Sequence, residues 1–87
     1  MSRSAIEFQD FDIGNFRISV GDLLVFNGNI CYILKMVVSD YHGKIHLTVN
    51  VPGIKQESKR LTFIIKKFLY QLEDRKIQLI PSKRNNV

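Results

Sequence analysis

The amino-acid sequence predicts a mainly β domain, and three stretches support this prediction. Residues 23–26 and 30–34 are apolar runs rich in strand-forming residues, and Asn27-Gly28 between them favours the positive φ angles of a two-residue hairpin turn of type I′. Residues 44–51 alternate between polar and apolar side chains, which predicts a strand with one buried face. Because the hairpin is apolar on both faces, we expect a closed or two-layered domain.

Length and composition are those of a single soluble domain. The 87 residues suffice for one core, which buries about two thirds of the surface of the extended chain. The single cysteine, Cys31, cannot form a disulfide within the chain, and no apolar run reaches the roughly 18 residues of a membrane span. The N-terminal residues also lack the apolar core of a signal peptide. We therefore expect a cytoplasmic protein without a membrane partner.

Residues 1–15 are interpreted as an arm or an edge strand that precedes a barrel at residues 16–81. Ile6, Phe8 and Phe11 alternate with polar residues in this segment. Large apolar side chains in an acidic segment need a surface that buries them. We favour packing on the same chain, and the alternative is a contact with a partner or a second copy.

The connections between strands are predicted from turn-forming residues. Residues 16–20 alternate, and Gly21-Asp22 predicts a bend in the first long strand. Residues 39–43 form a turn by composition. Pro52-Gly53 ends the strand that follows, and the polar run to residue 60 predicts an exposed loop.

Residues 61–74 allow two interpretations. Their apolar side chains lie on one helical stripe, yet residues 61–65 also alternate as in a strand. Because β-branched residues precede better helix formers, we predict a strand at about residues 60–65 and a short helix at about residues 67–74. The alternative is an α+β fold in which one helix over residues 61–74 packs on a three- or four-stranded sheet.

A final short strand is predicted at residues 76–80, and residues 82–87 are expected to form a frayed tail after Pro81. The predicted core contains nine residues from the strands and the short helix: Leu24, Phe26, Ile33, Ile45, Leu47, Val49, Phe63, Leu69 and Leu79.

Four to five antiparallel strands with one short helix before the last strand resemble the small SH3-like barrels, among them Tudor and KOW-type modules. The resemblance covers about residues 17–81. It rests on the order and spacing of the elements, with Val20-Gly21-Asp22 opening the first strand and a helical turn before residues 77–80. No family motif is present, so no binding residues carry over. The resemblance implies a domain that binds a partner and does not catalyse a reaction.

No residue pattern indicates an enzyme, a metal site or a cofactor. Cys31 lies within an apolar strand, where a free cysteine is expected to be a small core residue. His42 and His46 straddle a turn and a strand without further metal-ligand spacing. The aspartates of the first 22 residues are typical of turns, and the sequence has no Gly-rich phosphate loop or Ser-centred elbow.

The net charge of +5 is unevenly distributed along the chain. Residues 1–43 carry three basic and five acidic side chains, for a net charge of −2. Residues 44–87 carry ten basic and three acidic side chains, for a net charge of +7. A basic half of this kind favours association with polyanions such as nucleic acid.

Two classes of function follow from these patterns. The first is a nucleic-acid-binding module of low sequence specificity, for DNA or RNA, in which basic residues contact phosphates and Tyr41 or Tyr70 stacks on bases. Its predicted phosphate contacts are the outward row of the third strand, Lys44, His46, Thr48 and Asn50, together with Lys55, Lys59, Arg60, Lys66, Lys67, Lys83 and Arg84.

The second class is a protein-interaction module, either self-associating or acting as an inhibitor or adaptor. It would use the N-terminal apolar arm or an open barrel edge. The richness in Ile, Lys, Asn and Phe is typical of an AT-rich genome such as many phages carry.

Overall fold

The computed structural model describes residues 5–39, 42–51 and 58–81. Within these ranges the chain forms eight β-strands and one α-helix, so the prediction of a mainly β domain is confirmed. No helix in these ranges is long and apolar enough to cross a membrane. The elements are β1 Ala5–Glu7, β2 Asp10–Ile13, β3 Phe16–Ser19, β4 Leu23–Phe26, β5 Asn29–Ser39, β6 Lys44–Asn50, β7 Ser58–Ile64, α1 Ile65–Glu73 and β8 Ile77–Ile80.

Six of the strands form one antiparallel sheet. Its order is β7-β6-β5-β4-β8, and β1 pairs with residues 37–39 of β5 on the edge opposite β6. The prediction that the Asn27-Gly28 hairpin and the next strand are antiparallel neighbours is confirmed. The strand count exceeds the predicted four to five because the segment before β4 contributes three strands, β1, β2 and β3.

The predicted bend at Gly21-Asp22 is present, but the prediction that one long strand continues through it was wrong. β3 leaves the main sheet and pairs with β2 as a separate hairpin. The chain then turns at Gly21, which has a φ of 101°, and enters β4. Asp22 closes this turn, because its carboxylate accepts a hydrogen bond of 2.9 Å from the backbone N–H of Ser19.

The β4–β5 hairpin turns on Asn27 and Gly28, as predicted. Both residues have positive φ, 54° and 77°, and Phe26 pairs with Asn29 across the turn. Two consecutive positive φ angles are what a type I′ turn requires. The turn therefore sets the register of the hairpin and, with it, the side chains that face the core.

A β-bulge at Leu34 divides β5 into two halves. The pairing of β5 with β6 shifts between Ile33 and Lys35, so Leu34 has no partner on β6. Ile33 faces the core before the bulge, and Met36 and Val38 face it afterwards. Leu34 and Lys35 consequently both point away from the core.

The core lies on one side of the sheet, where α1 and the β2–β3 hairpin cover it. All nine predicted core residues are buried or pack against the buried cluster. Phe68 of α1 packs against Phe63 of β7, with ring centroids 4.8 Å apart. Gly14, in the β2–β3 turn, has a φ of 61°, and a Cβ there would lie 2.8 Å from Leu69 Cδ1. Glycine therefore allows the hairpin to approach α1 closely.

The predicted division of residues 61–74 into strand and helix is confirmed, and the alternative of one continuous helix was wrong. β7 pairs with β6 along its whole length and ends at Ile64, opposite Lys44. The backbone N–H of Ile65 then donates a 2.9 Å hydrogen bond to the carbonyl of Gly43, where α1 begins. Strand pairing thus keeps the β-branched residues extended, although the spacing of the apolar side chains in this segment also fits a helix.

Some predictions concern residues that the structure does not describe. These are part of the turn at residues 39–43, the loop at residues 52–57 and the frayed tail at residues 82–87. The predicted loop was too long at its end, because residues 58–60 pair with β6 as the start of β7.

Candidate nucleic-acid interface

The side of the sheet that faces away from the core is called the outer face. Alternation along β6 directs Lys44, His46 and Thr48 to this face. Thr48 aligns with Lys35 of β5 on one side and with Arg60 of β7 on the other. Six residues of these three strands are called the cationic zone: Lys35, Lys44, His46, Thr48, Arg60 and Thr62.

A cleft of about 170 Å³ opens within the cationic zone. Its lining consists of Lys35, Val37, His46, Thr48 and Arg60. This volume corresponds to about six water molecules, which is enough for one phosphate group. Beside the cleft, His46 Nδ1 and Thr62 Oγ1 share a hydrogen bond of 3.0 Å that orients the imidazole ring.

Burial and neighbouring positive charges both act on His46. Its pKa is lowered from 6.5, first by partial burial and then by repulsion from the positive charges of Arg60, Lys44 and His42. Each of these charges disfavours the imidazolium form. On the same face, β1 contributes one carboxylate, Glu7, on the far side of β5 from His46.

The cations of the outer face have no carboxylate partner among the described residues. None of Lys35, Lys44 and Arg60 forms a salt bridge there. The salt bridge that does form joins Arg17 Nε to Asp12 Oδ1 at 2.9 Å, within the β2–β3 hairpin. This contact lowers the pKa of Asp12 and raises that of Arg17, mainly through the hydrogen bond. No described carboxylate therefore forms a salt bridge with a cation of the zone.

Next to the cationic zone, the outer face is apolar. Ile30, Tyr32 and Leu34 of β5 are 47%, 44% and 49% exposed, and Ile80 of β8 is 44% exposed. Leu23 of β4 lies between these strands, aligned with Tyr32 on one side and with Ile80 on the other. These five residues are called the apolar zone.

The sequence-predicted phosphate contacts are not all on the outer face. Lys44 and Arg60 lie there together. Lys59 precedes Arg60 on β7 but points to the opposite side of the sheet, where it lines a cleft with Cys31 and Val49. Alternation along the strand separates the two neighbouring cations.

The remaining predicted contacts lie on α1 or outside the described ranges. Lys66 and Lys67 are exposed in the first turn of α1, beyond the end of β7. Tyr70 is 68% exposed on the same helix. Four predicted site residues fall outside the described ranges: Tyr41, Lys55, Lys83 and Arg84.

Sequence reasoning missed Lys35 and Tyr32 on the outer face. Both lie inside the apolar strand β5, where strict alternation would direct Tyr32 and Lys35 to opposite faces of the sheet. The bulge at Leu34 resets this alternation. The inward residues before the bulge, Cys31 and Ile33, occupy odd positions, whereas those after it, Met36 and Val38, occupy even positions. This change of phase is the signal of the bulge along the sequence.

The thiol of Cys31 and the carboxylate of Asp10, which lie away from the outer face, take part in the packing and hydrogen bonding of the fold. Cys31 is buried, which raises its pKa, while the charge of Lys59 opposes this rise. Asp10 accepts a 2.6 Å hydrogen bond from the hydroxyl of Ser19. Within the described ranges, no three His, Cys, Asp or Glu residues cluster in a way that could hold a metal ion.

Comparisons with known proteins give no relative for this chain. No protein-family model matches it, and neither a curated protein nor a solved structure is significantly similar to it.

Proposed function

We propose that this protein is a small, non-enzymatic nucleic-acid-binding module of low sequence specificity. The observation that carries the proposal is the cationic zone. Lys35, Lys44 and Arg60 lie on three adjacent strands without a carboxylate partner among the described residues, beside the hydroxyl groups of Thr48 and Thr62.

Cations and hydroxyl groups are the side-chain groups that hold phosphate oxygens. Neighbouring strands lie about 4.8 Å apart, and residues on the same face of one strand are about 6.6–6.8 Å apart. Lys35 and Arg60 line one cleft, and Lys44 lies further along β6. The three cations are thus distributed over an area, as an extended phosphate backbone requires. Phosphate contacts hold a nucleic acid without reading its bases, so sequence specificity is expected to be low.

The proposal uses Lys44 and Arg60 from the sequence prediction and adds Lys35. A contribution from Lys66 and Lys67, which lie at the end of the sheet near Lys44, stays a prediction. No cofactor is needed for binding of this kind.

We also propose that the fold is an SH3-like barrel. Four consecutive antiparallel strands, β4 to β7, support this proposal, as does the return of β8 to pair with β4. The short helix α1 precedes β8 and contacts both β7 and β8, the two ends of the sheet. In a closed barrel, a helix at this position would cover the gap between β7 and β8.

The alternative function is a protein-interaction module, and the apolar zone favours it. A contiguous group of exposed apolar side chains on a small domain often marks a contact surface. The N-terminal arm is a weaker candidate, because Phe8 and Phe11 pack against the core, with ring centroids 5.1 Å apart. Ile6, which lies in the same arm, is 56% exposed.

Oligonucleotide binding at low salt tests the proposal. The expected result is a saturable rise in the fluorescence anisotropy of a labelled oligonucleotide, which reverses as salt is added because released counterions oppose binding. A solution mass measured over a range of protein concentrations is the parallel experiment. Absence of binding at low salt would refute the proposal, and a mass that rises with concentration would then support self-association.

A further inference from the structure

The cationic and apolar zones form one continuous surface on the outer face. β5 runs through both zones, and Tyr32 is separated from Lys35 only by Ile33, which faces the core, and by Leu34 at the bulge. Because the bulge turns both Leu34 and Lys35 outward, the exposed side chains of Tyr32, Leu34 and Lys35 follow one another on the outer face of β5.

A ligand that covers this surface needs both negative charge and exposed apolar faces. Duplex nucleic acid supplies the charge, but its base faces are stacked inside the helix and only the base edges are open in the grooves. The major groove admits an α-helix or a two-stranded ribbon. The outer face belongs to a sheet that is wider than a two-stranded ribbon, and α1 packs its apolar side against the core. The outer face is therefore not shaped to enter the major groove.

A single strand combines an anionic backbone with bases whose faces are free to stack on aromatic side chains. We propose that the ligand of the outer face is single-stranded nucleic acid. Its phosphates contact the cationic zone, and at least one base stacks on Tyr32. This inference rests on the proposed function and specifies its substrate class.

Tyr32 is the stacking residue that the geometry selects. It lies in the middle of the sheet, paired with Leu23 of β4 on one side and with Asn50 of β6 on the other. Tyr32 is 44% exposed, so part of the residue packs against its neighbours and the rest is open to a ligand. Tyr70 is more exposed but lies on α1, outside the paired rows of the outer face.

The test compares a labelled single strand with a duplex of the same length, about 15 nucleotides, within the site size of small binding domains. Anisotropy titrations at low salt use the wild-type chain, Tyr32→Ala, Tyr32→Phe and the matched control Tyr70→Ala. We expect the single strand to bind more tightly than the duplex. Tyr32→Ala should weaken single-strand binding about 5- to 150-fold, the equivalent of about 1–3 kcal/mol of stacking.

Tyr32→Phe should bind like the wild type, because it keeps the aromatic face, and Tyr70→Ala should bind like the wild type as well. Tyr32→Ala should also keep the slope of affinity against salt, since it removes no cation. Thermal unfolding of each variant separates loss of contact from loss of fold. If Tyr32→Ala is unstable, Tyr32→Leu replaces it in the titrations. The leucine variant keeps apolar area but should still lose the stacking contribution.

Equal binding of both nucleic acids with no effect of Tyr32 substitution would overturn this inference and leave the proposed function standing. No binding of either nucleic acid would overturn both. A Tyr32 variant that dissociates an oligomer of the chain, while single-strand binding stays unchanged, would assign the apolar zone to contacts between copies and would also overturn the inference.

Discussion

Replacing Lys35, Lys44 and Arg60 together with glutamine should remove a defined part of the salt dependence of oligonucleotide binding. Each phosphate contact on a single strand contributes about 0.7 to the slope of log affinity against log salt, so three contacts contribute about 2. Between 50 and 200 mM salt, these contacts account for a roughly 20-fold fall in affinity. The triple variant should lose that part of the fall and bind more weakly at low salt.

A matched triple variant controls for net charge. Lys59→Gln, Arg75→Gln and Lys76→Gln remove the same numbers of lysines and arginines from exposed positions away from the outer face. Lys59 points to the opposite side of β7, and the other two residues lie between α1 and β8. The control variant should retain most of the wild-type slope. Exposed substitutions of this kind usually change stability by less than about 0.5 kcal/mol, so both variants should fold.

Anisotropy titrations at four or more salt concentrations give the slopes directly. Equal reductions of slope in the two variants would show that overall charge governs binding, and the outer face would then not be the site. An unchanged slope in the outer-face variant would contradict the phosphate contacts themselves. Circular dichroism of each variant confirms that the β fold is intact.

The remaining predictions concern individual residues. Arg60→Gln should raise the pKa of His46, because it removes a positive neighbour that disfavours the imidazolium form, and an NMR titration that shows no rise would contradict the assigned cause. Since the folded pKa of His46 lies below 6.5, the unfolded chain binds this proton more readily, so the contribution of His46 should lower stability as the pH falls through 6.5. Gly14→Ala should cost about 1–2 kcal/mol in urea unfolding, because alanine is strained at positive φ and its methyl group would press on Leu69. A neutral effect there would contradict both the positive φ of Gly14 and the close approach of the hairpin to α1. Cys31→Ala should cost about 1 kcal/mol and leave binding unchanged, and rapid labelling of the native thiol would contradict its burial.

Local signals in the sequence predicted the parts of the fold that depend on nearby residues. Asn27-Gly28 specifies its turn because few residues tolerate two successive positive φ angles. Alternation in residues 44–50 specifies the inward and outward sides of β6, and so it predicted Lys44 on an exposed face. The change from β-branched residues to helix formers identified the boundary near residue 65.

The candidate site depended on contacts between distant parts of the chain, and only the tertiary structure decided these. Lys35, Thr48 and Arg60 become neighbours through the register of three strands, which no local pattern specifies. The charge split between the two halves of the sequence was an incomplete guide, because Lys35 belongs to the acidic half and joins a site built otherwise from the basic half.

The bulge at Leu34 shows why this information is absent from the sequence pattern. Sequence alternation assumes that every residue of a strand has a partner, whereas the bulge leaves one residue unpaired and exchanges the two faces beyond it. Which residue is left unpaired depends on how β5 packs against β6 and the core. The sequence by itself determined the strands and their turns, and the tertiary structure decided which side chains meet, because strand register is a property of the packed sheet.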